Sequence, residues 1–308
     1  MTEKLFDKVA IIGLGLIGSS MARGIKKHGL STTVIGFDAS PDVRARAREL
    51  GVCDAIAESA EEAVANAGLV VLAVPVGAME AAAQSVAAHL AEGAIVTDVG
   101  SVKAAVVRQV GPVLPDHAVF VPGHPVAGTE YSGPDAGFAE LFEGRWYVLT
   151  PCERSTAAGV EAVEALWRGL GSTIEKMTPE HHDIVLAMTS HVPHLIAYNI
   201  VGTAAELETV TQSEVIKFSA GGFRDFTRIA SSDPVMWRDV FLNNKDAVLE
   251  VLGRFSEDLA ALQRLIRWDD GQALQEHFTR SRAVRHSIID AGQDTADADF
   301  GRPHGHDD

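Results

Sequence analysis

The first half of the chain alternates short apolar runs with amphipathic stretches. The apolar runs are rich in β-branched residues, which is typical of strands buried on both faces of a parallel sheet. They occupy residues 9–12, 33–37, 69–74, 94–97 and 118–121, with a further strand at 146–149. Helical spacing is found between them, at residues 17–28, 41–50, 60–66 and 78–90. This strand and helix alternation predicts a doubly wound, parallel α/β sheet of the Rossmann type.

The second half of the chain has a different pattern. From about residue 179 the β-type runs stop, and residues 246–265 and 271–289 have the apolar spacing of amphipathic helices. Such helices pack within a domain or against a second subunit, and the spacing fits both equally. We therefore predict an α/β domain at 1–178 and an all-α domain at 179–291. Residues 292–308 are acidic and nearly devoid of apolar side chains, which predicts a disordered tail.

Composition excludes several classes of function. A chain of 308 residues is long enough for two domains, and its net charge of −16 disfavours binding to nucleic acid. The sequence shows no apolar run near the roughly 18–20 residues of a membrane span. The first residues lack the features of a secretory signal, so we expect a cytoplasmic protein. The two cysteines, Cys53 and Cys152, are too few for a disulfide framework or a zinc cluster, and we predict no metal.

A glycine fingerprint follows the first predicted strand. Gly13, Gly15 and Gly18 have the spacing G-x-G-x-x-G at the start of the first helix. In this context the glycines permit a tight turn, the approach of a pyrophosphate to the backbone, and close packing of helix on strand. The loop residues expected to contact a dinucleotide are Gly13, Leu14, Gly15, Leu16, Ile17 and Gly18.

Asp38 lies at the end of the second predicted strand, about 20 residues beyond the fingerprint. A carboxylate there can accept hydrogen bonds from the ribose hydroxyls of an adenosine, which favours NAD over NADP. No arginine adjoins Asp38 to bind a 2′-phosphate, since Arg44 is a helical turn further on. The alternative is a structural turn followed by a surface acid.

Other candidate residues follow later strands. Val74 ends the strand at 69–74 and Pro75 follows it, and Ser101 comes after the strand at 94–97. Ligands of open α/β sheets bind at the carboxyl edge of the strands, so these residues are candidates for contact with nicotinamide or substrate. Ser101 fits the role of a helix N-cap equally well.

The segment GHPVAGTEYSGP, residues 123–134, carries the strongest candidate for proton transfer. His124 follows the strand at 118–121, so it should emerge at the same edge as the dinucleotide. Hydride loss from an alcohol requires a partner for the hydroxyl proton, and an imidazole titrates near neutral pH. Pro125 restricts His124 to an extended backbone, and Gly123 and Gly128 permit turns. A loop histidine with a structural role is the alternative.

Several motifs in order along the chain resemble the prephenate and arogenate dehydrogenases of tyrosine biosynthesis. They are GLGLIGSS, AVPV, DVGSVK, GHPVAGTEYSGP, TSHVPHL, GGFRDFTRIA and SSDPVMW, spanning nearly the whole chain. The glycine fingerprint is shared by many oxidoreductases, whereas the later four in this order are specific. The resemblance implies an NAD-dependent oxidative decarboxylation of a cyclohexadienol.

The resemblance also implies roles for individual residues. His124 corresponds to the base or hydrogen-bond acceptor, and Ser101 to a residue that bonds the hydroxyl or orients His124. His194 and Asn199 correspond to substrate contacts and Arg228 to a carboxylate ligand. Glu130 corresponds to a further residue of the substrate site, in an ion-pair gate with Asp225 and Arg228, beside Trp237. His191, three residues before His194, lacks a third partner for a metal site.

Two rival functions remain open at this stage. Another two-domain reductase, such as a β-hydroxyacid dehydrogenase, would need a lysine base, for which Lys245 is a superficial candidate. A non-catalytic NAD sensor would need the dinucleotide loop but not Ser101, His124, His194 and Arg228. The sequence leaves the choice between prephenate and arogenate open.

Overall fold

The computed structural model describes residues 4–129, 131–206 and 221–290. Glu130 and the tail predicted at 292–308 lie outside the described residues. The chain divides into two compact units, Met1–Val251 and Leu252–Asp308. The first contains both sheets and most of the helices, and the second contains the remainder of one long helix and the helix that follows it.

The predicted parallel sheet is confirmed. It has six strands in the order β3-β2-β1-β4-β5-β6, and every neighbouring pair is parallel. The chain order reverses between β1 and β4, which is the point where ligands bind in this class of sheet. The strands are β1 Phe6–Ile12, β2 Ser31–Phe37, β3 Ala55–Ile56, β4 Leu69–Leu72, β5 Ile95–Asp98 and β6 Val119–Val121.

Helices cover both faces of this sheet. Their apolar sides form two buried clusters, one including Val70 and Val96 and the other including Ile11 and Val71. Ser40, Ser59 and Thr156 cap three of the helices by accepting a hydrogen bond from a backbone N–H in the first turn. The helices are α1 Leu16–His28, α2 Pro41–Glu49, α3 Ala60–Val64, α4 Met79–Ala87, α5 Lys103–Val110 and α6 Ala157–Gly169.

A second, three-stranded sheet carries the GHP segment. It consists of β7 Gly123–Pro125, β8 Trp146–Leu149 and β9 Thr173–Lys176, with β7 antiparallel and β9 parallel to β8. The prediction that Gly123 supplies a turn is wrong, because Gly123 begins a strand. Its lack of a side chain admits Tyr147, whose hydroxyl would lie 2.0 Å from a Cβ at position 123. The ring of Tyr147 stacks on Trp167 at 4.0 Å.

From residue 179 onward the described residues are mainly helical, as the sequence predicts. One turn of π-helix, Ala187–His191, joins α7 to α8, and a 3₁₀ turn, Arg228–Ser231, follows α9. Trp237 and Val240 on α10 belong to the same buried cluster as Val70 and Val96 of the parallel sheet. The helices are α7 Pro179–Leu186, α8 Val192–Glu206, α9 Gly221–Thr227, α10 Pro234–Asn243, α11 Lys245–Arg267 and α12 Gly271–Asp290.

One helical stretch is more apolar than the sequence analysis expected. In the part of the chain that the structure describes, Pro179–Glu206 is long enough to cross a membrane and contains an 18-residue window with a mean hydropathy of 1.4. This corrects the expectation that no segment approaches a span. Length and composition alone are weak evidence, because core helices of soluble proteins pass the same test. His191 within this stretch is fully buried and hydrogen-bonds Asn244 at 3.0 Å, so this part packs against protein.

The close contact between Gly123 and Tyr147 yields a prediction about stability. Gly123→Ala should lower the free energy of unfolding by roughly 1–3 kcal/mol, because the new methyl group overlaps a buried and packed ring. Gly128→Ala is the matched control, since a Cβ there meets nothing within 4 Å. Urea unfolding of both variants measures the difference, and equal stability of the two would contradict the packing described.

Candidate active site

The glycine fingerprint forms the loop between β1 and α1. Gly13 has a φ of +101°, and a Cβ there would lie 2.4 Å from the carbonyl oxygen of Ala73. A Cβ at Gly18 would lie 2.0 Å from the carbonyl oxygen of Gly13. At Gly15, by contrast, a Cβ meets nothing within 4 Å. The fold itself therefore requires Gly13 and Gly18, whereas Gly15 borders open space at the N-terminus of α1, where a pyrophosphate would fit.

The remaining predicted cofactor residues surround this loop. Leu14 is fully buried, and its backbone N–H donates to Asp38. Leu16 and Ile17 are half-buried in the first turn of α1, which contains no acidic residue to oppose an anion. Val74 lies beside Gly13, 3.0 Å from the position of a Cβ there, and Pro75 is exposed just beyond β4.

Asp38 is held at the same edge by two backbone groups. Its Oδ2 accepts a hydrogen bond from Leu14 N at 2.9 Å, and its Oδ1 accepts one from Ser40 N at 2.9 Å. The carboxylate is therefore fixed beside the loop and is not a freely moving surface acid. Arg44 comes closer than its place in the sequence suggests: its Nη1 donates to the carbonyl oxygen of Asp38 at 2.8 Å, and its guanidinium lies 5.5 Å from the centre of the Phe37 ring.

A buried ion pair joins the end of β5 to the start of β7. Asp98 and Lys103 are both fully buried and contact each other directly through Oδ2 and Nζ. Lys103 Nζ also donates to the carbonyl oxygen of Gly123 at 2.7 Å, and Gly123 N donates to Asp98 Oδ1 at 3.3 Å. Burial lowers the pKa of Lys103, and the charge of Asp98 opposes that shift. The pair fixes the backbone immediately before His124.

His124 lies on β7 and is buried. Its Nδ1 lies 2.9 Å from Nε2 of His182, a residue of α7, and the two rings meet edge to face. Burial places the pKa of His124 well below its usual range, and positive charge on His182, Lys103 or His191 would lower it further. The imidazole is therefore neutral at physiological pH and can accept a proton. The predicted extended backbone is present, because His124 is part of a strand.

Ser101 lies two residues before α5 and is half-buried. The alternative that it caps this helix is wrong, because the N-cap is Val102 and the carboxylate of Asp183 takes the capping role. Asp183 accepts hydrogen bonds from Lys103 N at 2.7 Å and from Ala104 N at 2.9 Å. Within the described residues, the structure shows no direct hydrogen bond between the Ser101 hydroxyl and His124.

Several buried polar residues at this site were missed from the sequence. His182 and Asp183 bond to each other at 2.8 Å, and Asn244 donates to the carbonyl oxygen of Asp183 at 2.9 Å and to Nδ1 of His191 at 3.0 Å. Burial lowers the pKa of His191 to about 4, with the charge of His182 adding to the effect. The adjacent residues His181, His182 and Asp183 were a visible signal, but nothing in the sequence shows which of them is buried.

The predicted substrate residues lie on the helices. His194 stacks on Trp237 at 3.7 Å, and its Nδ1 lies 2.8 Å from the carbonyl oxygen of Ser190. Burial lowers the pKa of His194, and the charge of Arg228 contributes to the shift, which places these two residues in one electrostatic neighbourhood. Asn199 is exposed on α8, and Asp225 is exposed on α9. Glu130 lies outside the described residues.

Metal ligation has no support among the residues that the structure describes. These residues contain no group of three or more histidine, cysteine or acidic side chains placed to hold a metal ion. His191 is instead bonded to Asn244, and His194 to the backbone of Ser190.

The open space at Gly15 yields a prediction about dinucleotide binding. Gly15→Ala should change the free energy of unfolding by less than about 1 kcal/mol, since Gly15 is an N-cap with ordinary backbone angles. It should nevertheless weaken NAD⁺ binding at least about tenfold, because the methyl group occupies the space through which a pyrophosphate approaches the backbone. Calorimetry measures the affinity. Gly18→Ala is the contrasting variant, expected to lose stability, and unchanged affinity in Gly15→Ala would refute this placement.

Comparison with known proteins identifies the family. A model described as prephenate dehydrogenase, nucleotide-binding domain, matches residues 21–176, and one described as prephenate dehydrogenase, dimerization domain, matches residues 178–280. A cyclohexadienyl dehydrogenase from Zymomonas mobilis is 44% identical over 281 residues, covering 91% of this chain and 96% of that protein. A prephenate dehydrogenase from Bacillus subtilis is 36% identical, covering 93% of this chain and 77% of its own length.

A solved structure agrees with these matches. Prephenate dehydrogenase from Aquifex aeolicus, in complex with hydroxyphenyl propionate and NAD⁺, has a TM-score of 0.85 and 34% sequence identity. It covers 94% of this chain and 99% of its own length. The two family models together match most of the chain, and the relatives extend over both halves. The chain is an oxidoreductase that belongs to the prephenate dehydrogenase family.

Proposed function

We propose that this protein catalyses the NAD-dependent oxidative decarboxylation of prephenate, arogenate or both, forming 4-hydroxyphenylpyruvate or tyrosine. A hydride leaves C4 of the cyclohexadienol ring, the carboxylate at C1 departs as carbon dioxide, and the ring becomes aromatic. In this proposal the C4 hydroxyl gives its proton to a base as the hydride leaves, and the phenolate oxygen formed on aromatisation takes a proton back, so the product is a phenol. Aromatisation supplies the driving force, so the protein mainly has to align the reactants and accept that proton.

The observation that carries this proposal is a buried histidine at the same edge of the parallel sheet as the glycine loop. His124 follows the parallel sheet on the side where β5 and β6 end, and the glycine loop lies at the end of β1 on the same edge. Its pKa is held well below the usual range by burial, so it is unprotonated when substrate binds. An imidazole in that state can accept the C4 hydroxyl proton.

The cofactor in this proposal is NAD. Bound NAD⁺ supplies the hydride acceptor. The chain itself offers the N-terminus of α1 for the pyrophosphate, open space at Gly15, and the fixed carboxylate of Asp38 for ribose hydroxyls. A negative charge at Asp38 disfavours the 2′-phosphate of NADP, although Arg44 lies nearby. Val74, Pro75 and Ser101 are proposed to contact the nicotinamide half.

The substrate site in this proposal combines the sheet edge with the helices. Ser101 would bond the C4 hydroxyl, and His194, held by Trp237 and Ser190, would contact the substrate with Asn199. Arg228 would bind a carboxylate, and its influence on the pKa of His194 supports a shared location. Glu130 is proposed as a further residue of this site. The hydroxyacid dehydrogenase alternative is not favoured, because its lysine candidate, Lys245, is exposed at the start of α11.

We also propose the division of the chain into a dinucleotide-binding domain at 1–178 and a helical domain at 179–291. The family models support it, since one ends at residue 176 and the other begins at residue 178. A cytoplasmic location is part of the same proposal, and it fits an enzyme that draws on a soluble pool of NAD.

The helical domain is proposed to form a homodimer. The family model that matches it is described as a dimerization domain. In the unit Met1–Val251, Met188, Leu242 and Leu249 are each more than half exposed, and in the unit Leu252–Asp308 the same holds for Ile266, Trp268 and Phe278. In each unit, large apolar side chains exposed in the part of the chain that matches a dimerization domain support burial by another subunit.

His124 provides the first test of the reaction. His124→Asn should lower kcat by about 10²–10⁴-fold while NAD⁺ still binds, because the variant lacks a proton acceptor of suitable pKa. For the wild type, kcat should fall as the pH drops through the pKa of His124, since only the neutral imidazole accepts a proton. Because burial lowers this pKa, the fall should lie below the pH of about 6.5 expected for an exposed histidine.

Steady-state NADH formation with prephenate and with arogenate measures both effects and ranks the two substrates. Small hydroxyacids are assayed in the same way and should give no NADH, because only the alternative class, a β-hydroxyacid dehydrogenase, would oxidise them. Full turnover in His124→Asn would exclude His124 as the base, and NADH formation only with hydroxyacids would exclude the proposed reaction.

Leu242 provides a test of the dimer. Sedimentation velocity of the wild type should give twice the mass of one chain, and Leu242→Glu should shift the population towards monomer because a charge enters an apolar interface. Leu5→Glu is the matched control, an exposed leucine in the dinucleotide-binding domain, and should leave the mass unchanged. A wild-type monomer at micromolar concentration would contradict the proposal.

A further inference from the structure

A hydrogen-bonded chain of three side chains runs inward from β7 to α7. Nδ1 of His124 lies 2.9 Å from Nε2 of His182, and Nδ1 of His182 lies 2.8 Å from Oδ1 of Asp183. All three residues are buried, and His182 is fully so. The arrangement differs from a surface cluster because it is buried, and both ring nitrogens of His182 have a partner within it.

The hydrogen-bond partners of these three residues determine which nitrogen of each imidazole carries hydrogen. Asp183 accepts from Lys103 N and Ala104 N, so it is an ionised carboxylate that can only accept. Nδ1 of His182 must therefore carry the hydrogen. In a neutral His182 the other nitrogen, Nε2, then has a lone pair and accepts, so Nδ1 of His124 must donate. A neutral imidazole has a single N–H, which leaves Nε2 of His124 as the acceptor nitrogen.

The charges around the chain are consistent with two neutral rings. The groups that act on His124 are His182, Lys103 and His191, and those that act on His182 are Asp183, Lys103 and Asp98. Burial is the largest influence on both, and it lowers the pKa of each imidazole. Asp98 compensates the charge of Lys103 by direct contact.

We propose that His182 and Asp183 are positioning residues that hold His124 in the tautomer with hydrogen on Nδ1, so that Nε2 is free to take the substrate proton. This inference rests on the proposed function, in which His124 is the proton acceptor. Without these hydrogen bonds, a neutral His124 would also populate the tautomer with hydrogen on Nε2. In that tautomer Nε2 cannot accept the substrate proton. When His124 takes up the proton, its Nδ1–H still points at His182, and the carboxylate of Asp183 behind it favours the resulting positive charge.

Asp183 is rigid enough for this role because three elements hold it. Its carboxylate caps α5, its carbonyl oxygen accepts from Asn244 at the end of α10, and its own position is on α7. The same contacts mean that replacing Asp183 would also remove a helix cap. His182 is therefore the better residue to change, since its two ring nitrogens make only the contacts in question.

Two substitutions at residue 182 separate the two contacts. In His182→Asn the amide reaches the position of Nδ1 and keeps the contact with Asp183, but His124 loses its acceptor. In His182→Gln the amide oxygen reaches the position of Nε2 and restores that acceptor. We expect His182→Asn to lower kcat at least about tenfold, towards the roughly 10⁴-fold loss seen when the orienting acid of a serine protease is replaced. The KM for substrate should stay within about threefold, because no substrate contact is lost.

His182→Gln should recover a large part of kcat. His181→Asn is the matched control, since His181 is the exposed neighbour on the same helix and should keep wild-type kcat and KM. A purely architectural role for His182 predicts instead that both variants at 182 lose stability and activity together, without rescue by glutamine. Unchanged kcat in His182→Asn would overturn the inference, as would failure of glutamine to rescue a folded variant.

A second measurement does not depend on any variant at 182 folding. Nitrogen-15 NMR of histidine-labelled wild-type protein reports the tautomer of each imidazole, and His124→Asn identifies the signal of residue 124. We expect hydrogen on Nδ1 of His124 at neutral pH. Hydrogen on Nε2 would overturn the inference while leaving the proposed function intact. Full turnover in His124→Asn would instead overturn the proposed function, so the two failures are distinguishable.

Discussion

The buried ion pair between Asp98 and Lys103 is the constraint on which the site depends. Two charges that are fully removed from water are tolerated only when each is hydrogen-bonded, and breaking such a pair typically costs about 3–5 kcal/mol. Here the bonds go to both backbone groups of Gly123 and to Gly100 N. These contacts therefore fix the end of β5 relative to the starts of α5 and β7. His124 is the next residue after Gly123, so its backbone is held by the same contacts.

Asp183 connects the Asp98–Lys103 ion pair to the helices that complete the site. One carboxylate caps α5 and holds His182, and the backbone of the same residue is bound by Asn244. The buried residues His191 and Asn244 extend the network towards Trp237, against which His194 stacks. Sheet edge and helices thus share one continuous polar network inside an apolar core, where the low dielectric strengthens each hydrogen bond.

The sequence predicts most of this fold because its strongest signals are local. Buried parallel strands read as short β-branched runs, and five of those runs coincide with β1, β2, β4, β5 and β6. The strands that were missed are β3, β7 and β9. β3 and β7 are very short and β9 is mostly exposed, so none of the three has a long apolar run. These strands are defined by their pairing with a neighbouring strand. The role of Gly123 was misassigned for the same reason, since the side chain that excludes a Cβ comes from a different strand.

The sequence alone determined the family, the oxidoreductase class and the NAD cofactor, because glycine spacing and ordered motifs are properties of the chain itself. Only the tertiary structure decided which polar residues meet. Ser101 could have been a helix cap from its position, and the carboxylate that caps α5 instead comes from Asp183, far along the chain. His182 had no distinguishing pattern, because what makes it matter is a neighbour 58 positions away and the removal of both from water. Burial and long-range contacts set the charge state of an imidazole, and the local sequence reveals neither of them.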